Sequence, residues 1–285
     1  MGKKIIIILG MHRSGTSAVA GALSLLGVDF GRHLMPAAFD NEKGYFENLD
    51  VYNVNEAVLS SLGSSWDSVL TLPPEWWRSG EFAFYKQHIR EIILREFDNG
   101  DVFAVKDPRL SRLFPLWQEV LDDLHMDYRF ILPVRHPLEV ALSLVKRNNF
   151  TVEKGALLWT EYNIEAERHT RAHQRIIMSY SEFLERPEDF LQAWAGKFSI
   201  GDSQRVRETM PAVRGFLEPA LRHHRVDVSR KDARLPNFVF TLHGLLADLS
   251  SDTGRTSSSV RAMDEIAAEF TRMLNSPTPG DLQNV

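Results

Sequence analysis

Gly10, four residues, and then Gly15-Thr16-Ser17 close a run of mostly β-branched residues in the stretch KIIIILGMHRSGTS. A buried strand that turns through glycines into a helix aims backbone N–H groups and the positive end of a helix dipole at one point, a phosphate site. Val19, Leu23 and Leu26 continue at helical spacing, and Gly27 stands where a helix cap is expected. The ATP-loop pattern GxxxxGK[ST] needs lysine where this chain has Thr16. The nearest cation is Arg13, inside the loop. On the glycines alone, the stretch also fits a turn between any strand and helix of a doubly wound fold.

Two further basic motifs follow short apolar runs: Lys106-Asp107-Pro108-Arg109, and Arg135-His136-Pro137 with Ser143 eight residues after Arg135. The elements that must position them are legible as well. Runs at 5–9, 102–105, 130–134 and 175–180 read as buried parallel strands, and stretches at 51–62, 82–97, 112–124, 138–148 and 153–173 read as helices. That alternation predicts an α/β fold, a P-loop-type parallel sheet flanked by helices on both faces, with a mostly helical C-terminal part. Ligands of such sheets lie at the carboxyl ends of the strands. Three basic motifs at three strand ends therefore converge on one place.

The chain has 285 residues, enough for one large α/β domain, and a single domain over 1–275 with a frayed tail at 276–285 is expected. Residues 250–260 are polar and without periodicity, the pattern of a loop. A net charge of −5 argues against a general nucleic-acid binder, so an anionic ligand must meet a local basic pocket. Zero cysteines exclude disulfides and thiol catalysis and fit a reducing compartment. The five apolar residues 5–9 are too few for a signal-peptide core or a membrane span, and Ile6 stands where a myristoylation signal wants Ser or Thr. A soluble cytoplasmic protein is expected.

Arg13 followed by Ser-Gly-Thr-Ser resembles the 5′-phosphosulfate loop of sulfotransferases that use 3′-phosphoadenosine 5′-phosphosulfate (PAPS). Arg135 with Ser143 resembles that family's site for the 3′-phosphate, and Lys106 in KDPR resembles a Lys-Asp-Pro pattern of tyrosylprotein and bacterial carbohydrate sulfotransferases. Residues 179–184, Ser-Tyr-Ser-Glu-Phe-Leu, look like the family's Tyr-x-[DE]-[LMF] strand end. The resemblance covers roughly residues 4–190 and is greatest to bacterial enzymes acting on polysaccharides, lipopolysaccharides or secondary metabolites. It implies PAPS as donor, held by His12, Arg13, Ser14, Gly15, Thr16, Ser17, Arg135 and Ser143. It implies an acceptor hydroxyl on a glycan or small molecule, with no metal required. Lys106 and Arg13 would meet the charge of the departing phosphate, and an acidic residue of the Gly44-Tyr45-Phe46-Glu47-Asn48 stretch would take the acceptor proton. Glu47 is the first choice for that base and Glu42 the second. The chain departs from the animal cytosolic branch: Arg230-Lys231-Asp232 lacks the glycine of its Arg-Lys-Gly segment, and its catalytic histidine has no counterpart.

Other readings of the same residues stay open at this level. Asp107 after a strand is what a magnesium-dependent P-loop kinase or NTPase would use, and a pocket without chemistry would make a nucleotide binder. Glu47 also fits a cap for a helix starting near Asp50. Lys106 also fits an incidental neighbour of a capping Asp107-Pro108, and Arg135 with Ser143 a surface arginine plus a helix serine. The Arg222-His223-His224-Arg225 cluster fits a solvated helix face or a patch that helps bind an anionic acceptor, and adjacent histidines on one helix point apart, so no metal site is expected. Trp66, Trp76, Trp77, Phe82, Phe84 and Tyr85 fit either core or an acceptor platform.

Overall fold

The computed structural model describes residues 3–37, 44–97, 100–217, 231–250 and 257–276. In chain order its elements are β1 (Lys4–Ile8), α1 (Thr16–Leu25), α2 (Leu49–Ser61), α3 (Ala83–Glu96), β2 (Val102–Lys106), α4 (Leu110–Asp123), β3 (Asp127–Val134), α5 (Pro137–Asn148), α6 (Val152–Thr170) and β4 (Arg175–Ser179), followed by five helices. Those are α7 (Tyr180–Glu185), α8 (Pro187–Phe198), α9 (Ser203–Phe216), α10 (Asn237–Leu249) and α11 (Ser257–Asn275). The four strands are parallel in the order β2-β1-β3-β4. The expected α/β sheet with helices on both faces is the fold found.

Alternation along β1 decides which residue faces which layer. Ile5 and Ile7 join Phe103, Val105, Phe130 and Leu132 in a core with residues of α2 to α6, α10 and α11. Ile6 and Ile8 face the other way, onto Ala104, Ile131, Met178 and residues of α1, α8 and α9. Both faces are covered, so the strand centres are apolar on both sides, as all-parallel sheets require, while polar residues such as Asp127 and Arg129 fall at the strand ends. Helices α5 and α6 approach closely at Gly155, where a Cβ would lie 2.7 Å from the Ala141 Cα; a side chain there would push α5, and Ser143 with it, off its place.

Two expectations are corrected. Ser257–Asn275 is one helix, so the last residues of the polar 250–260 stretch are its first turn: Val260, Met263, Ile266 and Ala267 begin an apolar stripe that polar neighbours hid. The strand expected to end at Tyr180 ends at Ser179, whose hydroxyl caps α7 by accepting from the Glu182 N–H. Between α1 and α2, Asp29 adds a bridge to Phe103 at the sheet edge, and Leu34 pairs antiparallel with Asn48. Glu42, Arg222-His223-His224-Arg225, Arg230 and the tail beyond Ser276 lie outside the described residues.

Candidate active site

The phosphate loop is pinned by β3, by the residue that follows it and by the first turn of α4. Leu9 N–H donates to the Ile131 carbonyl at 3.0 Å, and Gly10 N–H donates to Ser111 Oγ at 2.9 Å. Arg135 Nη1 donates to the Arg13 carbonyl at 3.0 Å. That last bond holds Arg13 in the left-handed region (φ 68°), a strained state for a residue with a Cβ. Gly15 caps α1 at φ 95°, and a Cβ on it would lie 2.2 Å from the Tyr180 ring, so only glycine fits. From Thr16 onward the first-turn N–H groups of α1 face the loop.

Arg13, Arg135 and Ser143 meet at one end of this loop. Arg13 Nε donates to Ser143 Oγ at 2.9 Å. Arg135 is buried, paired through Nε with Glu139 Oε2 at 2.8 Å, and its guanidinium lies 5.3 Å from the Tyr180 ring centroid. Its carbonyl accepts from Trp159 Nε1 at 3.0 Å. Reading Arg135 and Ser143 as a surface arginine and a stray helix serine therefore fails on burial.

At the other end, Lys106 Nζ donates to Glu47 Oε1 at 2.5 Å and to Ser17 Oγ at 3.3 Å. Both charged side chains of this pair are almost wholly shut from solvent, 3% and 6% exposed. Glu47 does not cap α2. Asn48 does, accepting from the Asp50 and Val51 N–H groups, while its own amide donates to Glu96 at 2.8 Å and Met35 N–H holds the Glu47 carbonyl at 2.7 Å. These contacts turn Glu47 toward Lys106. Burial raises the Glu47 carboxyl above its ordinary range; Lys106 opposes that rise, Asp107 adds to it, and Arg109 opposes it.

Asp107 is fully buried with both oxygens engaged. Oδ1 accepts from the Arg109 N–H at 2.9 Å and from Arg109 Nη1 at 2.8 Å, and Oδ2 accepts from Asn55 Nδ2 at 3.0 Å. A carboxylate so used is a structural hub, and a magnesium role would first have to dismantle it. Among the described residues no group of three His, Asp or Glu side chains is arranged to hold a metal ion.

His12 is placed differently from its loop neighbours. Its ring packs 4.7 Å from Trp66 and 6.1 Å from Tyr162, its Nε2 has no hydrogen-bond partner, and burial together with the charges of Arg109, Arg147, Lys106 and Arg13 keeps it neutral. Ser14 Oγ is likewise buried without a partner, and Thr16 is buried. Of the aromatic stretch, Trp76 and Phe82 are core, Phe84 is exposed, and Trp66 alone reaches the loop. Sequence reasoning missed Arg109, Glu139 and Tyr180 as parts of this site. Signals for all three were present: Arg109 closes KDPR, Glu139 stands four residues after Arg135 on a helix, and Tyr180 opens the Tyr-x-Glu motif.

No protein-family model and no curated protein matches the chain. Among solved structures it is similar to a sulfotransferase domain from the Synechococcus PCC 7002 olefin synthase, at 12% identity over 98% of each chain and with a TM-score of 0.40. No helix among the described residues is long and apolar enough to cross a membrane.

Proposed function

We propose that this chain is a sulfotransferase that takes its sulfuryl group from PAPS and passes it to an acceptor hydroxyl on a glycan or small molecule. One observation carries the reading: a phosphate loop without the ATP-loop lysine has a buried cation with a carboxylate at one end, Lys106 and Glu47, and two arginines with a hydroxyl at the other, Arg13, Arg135 and Ser143. The donor set fits an ester with phosphate at both ends. The orphaned Ser14 Oγ and the glycine cradle at Gly15 further favour an anion on the loop. Residues 12–17, Arg13 among them, with Lys106 would hold the 5′-phosphosulfate, and Arg135 with Ser143, which Arg13 Nε reaches, the 3′-phosphate.

When bound, PAPS supplies a sulfuryl group whose bond to the bridging phosphate oxygen breaks as the bond to the acceptor oxygen forms. The protein's part is placement and charge. Glu47 accepts the acceptor hydroxyl proton at a carboxylate oxygen, and a carboxyl raised by burial is a better base near neutral pH than a solvated one. Lys106 and Arg13 meet negative charge as it gathers on the leaving phosphate, a role that preorganised cations fill without reorganisation.

Calorimetry with adenosine 3′,5′-bisphosphate in the presence of EDTA, followed by incubation with sulfur-labelled PAPS against saccharide, phenol and lipid panels, tests the reading. Metal-free binding and labelled product are expected. Binding without any transfer would leave a nucleotide binder, and magnesium-dependent ATP turnover instead would make the chain a kinase or NTPase.

A further inference from the structure

Glu47 lies between two cations of different freedom. Lys106 touches Glu47 Oε1 at 2.5 Å and Ser17 Oγ at 3.3 Å, so its ammonium already stands between the carboxylate and the phosphate loop, on a flexible stem. An anion seated on the loop draws that ammonium toward itself, and Glu47 then loses its nearest partner while staying buried. A buried carboxylate without a cation takes up a proton and ceases to be a base.

Arg109 is fixed where Lys106 is free. Its Nη1 lies 3.8 Å from Glu47 Oε2, the oxygen that Lys106 does not bind, and its side chain is 4% exposed. Three contacts away from the phosphate loop anchor it: Asp107 Oδ1 at 2.8 Å, Glu56 through Nε, and the Tyr52 ring, whose centroid is 4.4 Å from the guanidinium carbon. The groups whose charge bears on Glu47 are Lys106 and Asp107 from the end of β2 and Arg109 from the start of α4. Once Lys106 turns away, Arg109 is the cation left to balance Asp107.

We infer that Arg109 is a positioning residue that holds the Glu47 carboxylate by Oε2, charged and oriented, when Lys106 turns to the donor. The identity of that donor rests on the sulfuryl-transfer reading; the hold on Glu47 is a property of this chain alone. Arg109→Lys keeps the charge but replaces a fork that serves three partners with a point charge that serves one.

Carboxyl-carbon NMR of the full chain labelled at glutamate tests this, the Glu47 signal being assigned by its loss in Glu47→Gln. With adenosine 3′,5′-bisphosphate bound, Arg109→Lys should raise the Glu47 titration midpoint by about one pH unit over the wild-type complex, while bisphosphate affinity stays within about twofold. An unmoved midpoint, or a tenfold loss of bisphosphate affinity, overturns the inference, the latter by making Arg109 a nucleotide ligand. Lys106→Met without nucleotide imitates the withdrawn lysine. Adding Arg109→Lys there must raise the midpoint too, and this arm decides the matter even if the bisphosphate does not bind and the proposed function falls. Should Arg109→Lys fail to fold, Tyr52→Leu loosens the same guanidinium with every charge retained: a smaller rise supports the inference and no rise ends it.

Discussion

Lys106 Nζ stands 2.5 Å from Glu47 Oε1 with both side chains shut from solvent, and the lysine reaches the phosphate loop at Ser17 from the same position. A strand end and the residue before a helix cap thus share one buried charge pair. Removing either partner leaves the other buried without its nearest counter-charge. Lys106→Ala or Glu47→Ala should each lower unfolding free energy by about 3–5 kcal/mol, and the double variant by less than their sum, as urea titrations would read. Glu47→Gln keeps the shape, so its transfer rate should drop roughly 100-fold or more with bisphosphate affinity little changed.

Gly15 has no room for a side chain. Gly15→Ala puts a methyl 2.2 Å from the Tyr180 ring at a backbone φ of 95°. A stability loss of about 1–3 kcal/mol from the backbone alone is expected, together with loss of bisphosphate binding as the loop shifts. Thermal melting and calorimetry of Gly15→Ala beside Gly15→Ala/Tyr180→Ala separate the two causes. The double variant relieves the clash but not the backbone strain, so only part of the loss should return.

Arg13 and Ser143 act on one another before any ligand arrives. Ser143→Ala should weaken bisphosphate binding about tenfold, the size of one hydrogen bond to a charged group, and leave binding of adenosine 5′-monophosphate, which lacks the 3′-phosphate, unchanged. Equal losses for both nucleotides would remove Ser143 from the 3′-phosphate site.

Glu161 gives the fold a pH dependence separate from the site. Burial pushes its carboxyl up to about 8, Glu165 adds to the rise, and Arg112 at 3.7 Å opposes it. The native chain therefore holds a proton that the unfolded chain, titrating near 4.5, has released. Stability from this group is present below pH 4.5 and is lost as pH climbs toward about 8. Glu161→Gln should narrow the difference between melting temperatures at pH 5 and pH 8, and an unchanged difference would contradict the assignment.

Much of the frame was legible locally. The runs around Ile7, Ala104, Leu132 and Ile177 are apolar because strands covered on both faces must be, and the cations Arg13, Lys106 and Arg135 follow those strands in sequence, so their convergence follows from parallel order alone. Gly15, Pro137 and Gly27 carry their backbone roles in their own chemistry.

What sequence left open depended on which side chain faces which across the sheet. Whether Glu47 caps a helix or meets Lys106 was undecided until Asn48 took the cap and Glu96, far along the chain, fixed Asn48. Asp107 read as a metal ligand or as a helix cap, and only Asn55 and Arg109 closing on its two oxygens made it a hub. Tyr180 entered the site because the end of β4 passes over the phosphate loop. Local propensity acts over a few residues, so it determined the strands, the turns and the cations at their ends. Apart from Glu139, four residues after Arg135, the partners of those cations stand tens of residues away, and tertiary packing alone brought them within reach.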